Sequence, residues 1–185
     1  MVKLNTCVFI SGKGSNLRRL ILNSKKYNFP IKISLVVCNN KNAEGLKLAK
    51  KWSIPSLIFN NKQCLSENKL LTKLKTYKID LILLAGYMKI LSKRFIRSFG
   101  KSIINIHPSL LPKFKGLNTF ERVLKKKEKK TGCTVHFVNE KLDAGKIILK
   151  KFFYVEKEDN VSSLKKKTQN LEYNAFSEAI IRVVK

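Results

Sequence analysis

The stretch KLNTCVFISGKGSNLRRLI, residues 3–21, decides the fold. Residues 3–10 are rich in apolar and β-branched side chains, whereas residues 11–16 are serine, glycine, lysine and asparagine only. After this polar break, leucines and an isoleucine recur at the spacing of one helix face. The segment therefore predicts a strand, a glycine-rich turn and a helix, which is the opening unit of an α/β protein.

The same alternation of strand and helix continues along the chain. Further strands are predicted at 31–38, 56–59, 79–85, 103–106, 132–138 and 147–155, and further helices at 43–52, 66–77, 92–99, 119–127 and 161–184. The segment IDLILLA at 79–85 is almost wholly apolar, which is typical of a strand buried on both faces of a parallel sheet. Since only a loop separates the last two strands, we expect them to pair antiparallel.

The expected fold is α/β, with a single Rossmann-like, doubly wound sheet in one domain over residues 1–185. The sheet should be mostly parallel with an antiparallel C-terminal strand pair, and a long C-terminal helix should follow it. The start MVKLNTCVFISGKGS fits a first strand better than a signal peptide. No apolar run approaches the roughly 20 residues of a membrane span.

The cysteines and histidines give no sign of a disulfide scaffold or a metal site. The four cysteines are scattered without a C-x-x-C pair, and the chain has only two histidines. Disulfide scaffolds are typical of small secreted domains dense in cysteine, and Cys/His zinc sites use closely spaced ligand pairs. We therefore expect a reduced, cytoplasmic protein that holds no metal.

The chain is strongly basic, with 39 Lys+Arg against 12 Asp+Glu and a net charge of +27. Such a charge suggests a nucleic-acid-binding module as one alternative. However, only six of the basic residues are Arg, the side chain that base and phosphate recognition favours, and the lysines are spread along the chain. We expect non-specific binding to polyanions at most, and no specific nucleic-acid partner.

The first candidate site is the turn SGKGSN at 11–16. A glycine-rich turn that leads from a strand into a helix presents several backbone N–H groups to an anion. Ser15 and Asn16 could add side-chain hydrogen bonds to a phosphate. The alternative is a tight turn in which Ser15 only caps the helix, and the residues themselves leave both interpretations open.

The second candidate site is NIHPSLLP at 105–112. Within a strand, Asn105 and His107 point to the same side, and the carboxyl ends of strands are where open α/β sheets bind ligands. An asparagine amide can donate to a developing oxyanion, and histidine titrates near neutral pH. The alternative is a hydrogen-bonded Asn and a buried His beside a proline-rich loop.

A polar loop, NEKLDAG at 139–145, follows the predicted strand 132–138. If Asp143 approaches His107, it should hold the imidazole and raise its pKa. Otherwise the loop is a plain connection with a turn at its end. His136 lies inside an apolar strand, so we expect a core histidine outside the catalytic cluster.

Four segments together resemble the phosphoribosylglycinamide formyltransferase family. They are SGKGSNL at 11–17, LAGYMKIL at 84–91, NIHPSLLPKFKGL at 105–117 and TGCTVHFVNEKLDAGKIIL at 131–149, in the order that the family has them. The resemblance implies transfer of a formyl group from 10-formyltetrahydrofolate to the amine of glycinamide ribonucleotide, a step of purine biosynthesis. It implies small-molecule substrates, no membrane, and a monomer or a homodimer.

The resemblance also implies roles for individual residues. The catalytic residues would be Asn105, His107 and Asp143, the phosphate would be held by Gly14, Ser15 and Asn16, and Glu172 would contact the ribonucleotide. The folate would lie against Met88, Lys89, Ile90, Leu91, Asn105, Glu140 and Leu142. The Leu111–Pro112 peptide bond would be cis.

Some positions depart from the family. The family often has histidine where this chain has Asn118, Phe120 and Tyr173, and the stretch 60–65 diverges too far to align. Two rival functions remain: a basic nucleic-acid-binding module without transfer activity, and a formyl-folate hydrolase that lacks a regulatory domain.

Overall fold

The structure is a computed structural model that describes residues 2–59 and 66–184. Within these residues the strands are β1 (Leu4–Ile10), β2 (Ile31–Cys38), β3 (Ser56–Ile58), β4 (Leu81–Leu84), β5 (Ser102–His107), β6 (Lys130–Phe137) and β7 (Ile147–Tyr154). The helices of the same described part are α1 (Ser15–Ser24), α2 (Glu44–Lys51), α3 (Glu67–Thr76), α4 (Lys93–Phe99), α5 (Thr119–Lys125) and α6 (Val161–Val183). The stretch 60–65, whose folate contacts could not be aligned, lies outside the described residues.

The strands follow the order β3-β2-β1-β4-β5-β6-β7 in one sheet. Strand β1 pairs in parallel with β2 and with β4, and β2 pairs in parallel with β3. Strands β6 and β7 are antiparallel, from the Lys130–Tyr154 pair to the His136–Ile147 pair. The expected fold class, including the antiparallel C-terminal pair and the long last helix, is therefore confirmed.

The chain divides into two compact units. The first contains the described residues up to Ile104 together with Val184, and the second is Asn105–Val183. In the first unit the four residues of β4 are all buried, as an apolar strand covered on both faces should be. In the second unit α6 packs on β6 and β7, with Leu164, Phe176 and Ile180 buried.

Local signals in the sequence set several boundaries of these elements. Ser92 caps α4, because its hydroxyl accepts the Phe95 N–H at 3.0 Å. Ser15 is not the N-cap of α1: the helix begins at Ser15, and Gly14 stands at the cap with φ 75°. The Leu111–Pro112 peptide bond is cis, as predicted.

Candidate active site

The centre of the site lies in the second unit, where Asn105 and His107 lie near the carboxyl end of β5. Asp143 reaches both of them, with its Oδ2 atom 3.4 Å from His107 Nδ1 and its Oδ1 atom 3.5 Å from Asn105 Nδ2. The side chains of His107 and Asp143 are each only 7% exposed. The predicted approach of Asp143 to His107 is thus confirmed.

Backbone geometry fixes the position of Asp143. Its φ of 47° lies in the left-handed region, and its Oδ2 atom accepts the Gly116 N–H at 2.8 Å. Two residues later, a Cβ atom on Gly145 would collide with the carbonyl oxygen of Phe137. The loop can therefore close against β6 only because residue 145 is glycine.

The loop between β5 and α5 supplies a backbone partner to each member of the buried pair. The Phe114 carbonyl oxygen lies 2.9 Å from His107 Nε2, and the Gly116 N–H binds Asp143. This loop is held by side chains of its own unit. Arg122 Nη1 donates to the carbonyl oxygens of Lys115 and Leu117, and its guanidinium lies over the Phe114 ring.

His136 also belongs to this cluster, contrary to the sequence-based expectation. It is buried, as expected, but its Nε2 atom lies 3.2 Å from Asn105 Nδ2 and 3.6 Å from Asp143 Oδ1. Its Nδ1 atom lies 2.8 Å from the carbonyl oxygen of Phe137. Because the residues around His136 in the sequence are apolar, the pattern suggested a core histidine and did not show that its ring lies beside Asn105 and Asp143.

Burial dominates the electrostatics of His107. Loss of hydration lowers the pKa of its imidazole below the ordinary 6.5, whereas the Phe114 carbonyl and the Asp143 charge act in the opposite direction. Asp143 therefore raises the pKa of His107, as predicted, but burial has the larger effect and the net shift is downward. Desolvation outweighs the carboxylate because the ring is almost fully removed from water.

For the carboxyl group of Asp143, hydrogen bonds and nearby charges outweigh the effect of burial on the pKa. Burial alone would raise the pKa of its carboxyl group, but His136, the Gly116 N–H and the nearby His107 together lower it below 3.8. The site thus combines an ionised carboxylate, an imidazole and an amide N–H donor within hydrogen-bonding reach of one another. Such a set can stabilise an oxyanion and move a proton.

The predicted phosphate-binding residues lie in the first unit, at the start of α1. Gly14 adopts φ 75°, and a Cβ atom there would stand 2.8 Å from the Cα atom of Gly45. Ser15 begins the helix, and Asn16 is 7% exposed. The turn therefore presents helix N–H groups without an intervening side chain at residue 14, which is the geometry expected of an anion site.

The predicted folate-binding segment 88–91 also lies in the first unit, after β4. Met88 and Ile90 are 70% and 75% exposed, an unusual exposure for large apolar side chains, whereas Leu91 is buried. Lys89 is exposed as well. The backbone N–H of Met88 donates to Ser11 Oγ at 2.8 Å, which fixes the start of the segment.

Three further predicted residues lie in the second unit. Leu142 is 51% exposed and Glu140 is half-buried, on the loop that carries Asp143. Glu172 is half-buried on α6, where its charge adds to burial in raising the pKa of the Cys133 thiol to about 12.

Within residues 2–59 and 66–184, the structure contains no cluster of three or more His, Cys, Asp or Glu side chains suited to a metal ion. Nor does any helix in those ranges have the length and apolar character needed to cross a membrane.

Comparison with known proteins identifies the family. The family model described as formyl transferase matches residues 4–180. This chain belongs to the formyl transferase family. The match covers every strand and nearly all of α6, so the family assignment extends to both compact units.

Relatives of this formyl transferase carry more specific names. The chain is similar to the phosphoribosylglycinamide formyltransferase of Haemophilus influenzae, with 39% identity over 91% of this chain and 82% of that protein. It is 41% identical over 96% of its length to the trifunctional purine biosynthetic protein adenosine-3 of Gallus gallus, of which it spans only 18%. The crystal structure of phosphoribosylglycinamide formyltransferase from Anaplasma phagocytophilum superposes with a TM-score of 0.93 at 38% identity, over 98% of this chain and 86% of that one. The resemblance stated from the sequence motifs is confirmed.

Proposed function

We propose that this formyl transferase passes a formyl group from 10-formyltetrahydrofolate to the amine of glycinamide ribonucleotide, a step of purine biosynthesis. The observation that carries the proposal is the convergence of Asn105, His107 and Asp143 in a chain of this family. These are the residues that the sequence motifs assigned to catalysis. We take residues 1–185 as one formyltransferase domain.

In the proposed reaction the amine nitrogen attacks the formyl carbon directly. A new C–N bond forms, and the carbonyl oxygen takes up negative charge in a tetrahedral intermediate. Asn105 Nδ2 donates a hydrogen bond to that oxygen; loss of such a donor typically costs on the order of 100- to 1,000-fold in rate. The bond to the folate nitrogen then breaks, the amine loses one proton, and the folate nitrogen gains one.

His107 and Asp143 handle the proton. Because Nε2 of His107 faces the Phe114 carbonyl, Nδ1 on the Asp143 side is the nitrogen that exchanges a proton during turnover. Asp143 orients the ring and stabilises its positive charge, directly or through one water. General acid–base catalysis of this kind contributes roughly 100- to 10,000-fold.

The substrates are proposed to bind through the other predicted residues. Gly14, Ser15 and Asn16 hold the phosphate, where the helix dipole favours an anion. Glu172 contacts the ribonucleotide. The residues 88–91, with Asn105, Glu140 and Leu142, take the folate, and the exposed side chains of Met88 and Ile90 offer it apolar surface.

The proposal includes a cytoplasmic location and a monomer or homodimer that uses no metal. The +27 charge is expected to give non-specific polyanion binding that falls steeply with salt. Retention on DNA at physiological salt would instead favour the nucleic-acid-binding alternative.

The test is an assay of 10-formyltetrahydrofolate consumption with glycinamide ribonucleotide present and absent. We expect consumption only when the ribonucleotide is present, with formylated ribonucleotide as the product. Release of formate at the same rate without the ribonucleotide would instead identify a formyl-folate hydrolase.

A further inference from the structure

We propose that His136 is a positioning residue that fixes the orientation of the Asn105 amide, so that one N–H of Nδ2 stays directed at the reacting oxygen. The proposal rests on the proposed function of Asn105. It starts from one contact, the 3.2 Å separation of His136 Nε2 and Asn105 Nδ2.

The backbone selects the tautomer of His136. Its Nδ1 atom lies 2.8 Å from the carbonyl oxygen of Phe137, and a carbonyl oxygen only accepts hydrogen bonds. Nδ1 must therefore carry the proton. As long as the ring is neutral, Nε2 then has a lone pair and no hydrogen, so it accepts from Asn105 Nδ2 at 3.2 Å, which is nearer than Asp143 Oδ1 at 3.6 Å.

An acceptor at Nε2 decides which end of the Asn105 amide faces it. The amide nitrogen has two N–H groups, whereas the amide oxygen would meet the His136 lone pair and the Asp143 carboxylate at once. Rotation of the amide by 180° would thus replace two attractive contacts with two repulsive ones. His136 and Asp143 together keep Nδ2 inside the cluster.

The two N–H groups of Nδ2 are not equally engaged. One donates to His136 at 3.2 Å, and the contact with Asp143 Oδ1 is 3.5 Å, beyond the usual 2.7–3.2 Å of an N–H···O bond. The second N–H is therefore the one that a substrate oxygen can capture. His136 holds the first N–H, and the second, which makes only the long contact with Asp143, remains able to donate to a substrate oxygen.

Because His136 is buried, water cannot take over its hydrogen bond with Asn105. The residue is 2% exposed, so water does not compete for its Nε2 atom. A side chain without an acceptor at this point would leave only the long contact with Asp143 to orient the amide. We expect the loss to appear in kcat, because the oxyanion forms only as the reaction proceeds.

Two variants separate positioning from simple packing. In His136→Asn, the amide can still donate to the Phe137 carbonyl but places no acceptor at the position of Nε2. In His136→Gln, the longer side chain can place its amide oxygen there. We expect His136→Asn to lower kcat by about 10- to 100-fold, part of the loss typical of a missing oxyanion donor, with KM for both substrates nearly unchanged. His136→Gln should recover most of that loss.

Two kinetic results would overturn the proposal: a folded His136→Asn protein with wild-type kcat, or equal losses in both variants. A second measurement does not depend on activity or on the variants folding. In the wild-type chain at the pH of the kinetic assay, ¹⁵N NMR should show a protonated Nδ1 and an unprotonated Nε2 on His136. A protonated Nε2 would contradict the proposal. If the wild-type chain transfers no formyl group, the proposed function fails, and the NMR result still decides whether His136 accepts from Asn105.

Discussion

Nδ1 of His107 lies 3.4 Å from Oδ2 of Asp143, and the second nitrogen of the same ring faces the carbonyl oxygen of Phe114. Both ring nitrogens therefore meet acceptors, an arrangement that favours a protonated imidazole. Burial opposes this preference and prevails, so the pKa of His107 is lowered. The site thus combines burial, which disfavours the charged imidazole, with two acceptors that stabilise the ring once it gains a proton.

This balance predicts the titration of His107. We expect its pKa to lie below 6.5 in the wild-type protein and to fall further in Asp143→Asn, because that change removes the charge that raises it. NMR titration of the imidazole signals measures both values. A wild-type pKa above 6.5, or no change in the variant, would contradict the electrostatic account.

The same shift predicts how stability depends on pH. Because the folded pKa of His107 is below the 6.5 of an unfolded histidine, the unfolded chain takes up the proton first as the pH falls. The free energy of unfolding should therefore fall as the pH drops from about 7 towards the folded pKa. His107→Asn lacks this contribution, so urea unfolding at a series of pH values should give it a shallower slope than the wild type. Equal slopes would mean that His107 titrates alike in both states.

Arg122 should influence His107 by its charge as well as by holding the loop. Its positive charge contributes to lowering the pKa of His107, although less than burial does. We expect Arg122→Gln to raise that pKa, and Arg122→Lys to leave it closer to the wild-type value. The matched control is Arg182→Gln, which removes a charge paired with Glu178 on α6. An equal shift in the control would show that the effect reflects net charge alone.

The glycines of the first turn provide a test of its geometry. Gly14 has φ 75° and would place a Cβ atom 2.8 Å from Gly45 Cα, whereas a Cβ atom on Gly12 meets no described atom within 4 Å. We expect Gly14→Ala to lower the free energy of unfolding by about 1–3 kcal/mol, and Gly12→Ala to change it by less than about 1 kcal/mol. Chemical denaturation measures both. A larger residue such as valine at position 14 would not isolate phosphate binding, since it would also disturb the packing of α1 on α2.

The phosphate proposal is better tested at Ser15, whose position at the start of α1 does not require glycine. If its hydroxyl contacts the phosphate, Ser15→Ala should raise KM for the ribonucleotide several-fold, in line with a hydrogen bond to a charged group. KM for the folate should stay unchanged. An unchanged ribonucleotide KM in a folded variant would mean that the Ser15 hydroxyl does not contact the phosphate.

Much of the fold could be predicted from the pattern of apolar, glycine and capping residues within short stretches of the sequence. The apolar run around β4, the glycine-rich turn before α1 and the cap at Ser92 are each decided by a few neighbouring residues. The observed boundaries differ from the predicted ones by at most two residues. Residues 79 and 80 are an example: they belong to the predicted strand 79–85 but precede β4, and residue 80 is an aspartate.

The site could be predicted only in part. The alternation of side chains along a strand predicts that Asn105 and His107 lie on the same side of β5. The catalytic role of Asp143 was implied by the resemblance to the family. The contacts from the Phe114 carbonyl and the Gly116 N–H depend on the path of a loop, which no side-chain pattern encodes. The sequence held a weak signal for His136: Thr134 and His136 are polar residues two apart within the buried part of β6, and Thr134 binds backbone of the 108–118 loop.

The central claim is that Asn105, His107 and Asp143 act as one catalytic unit, and a double-mutant cycle tests it most directly. We would measure kcat for formyl transfer in His107→Asn, Asp143→Asn and the double variant, with circular dichroism to confirm folding. Asp143→Asn should lower kcat more than it raises KM, His107→Asn should lose more, by roughly 100- to 10,000-fold, and the double variant should be little worse than His107→Asn. Full transfer activity in a folded His107→Asn protein, or losses that simply multiply in the double variant, would contradict the account.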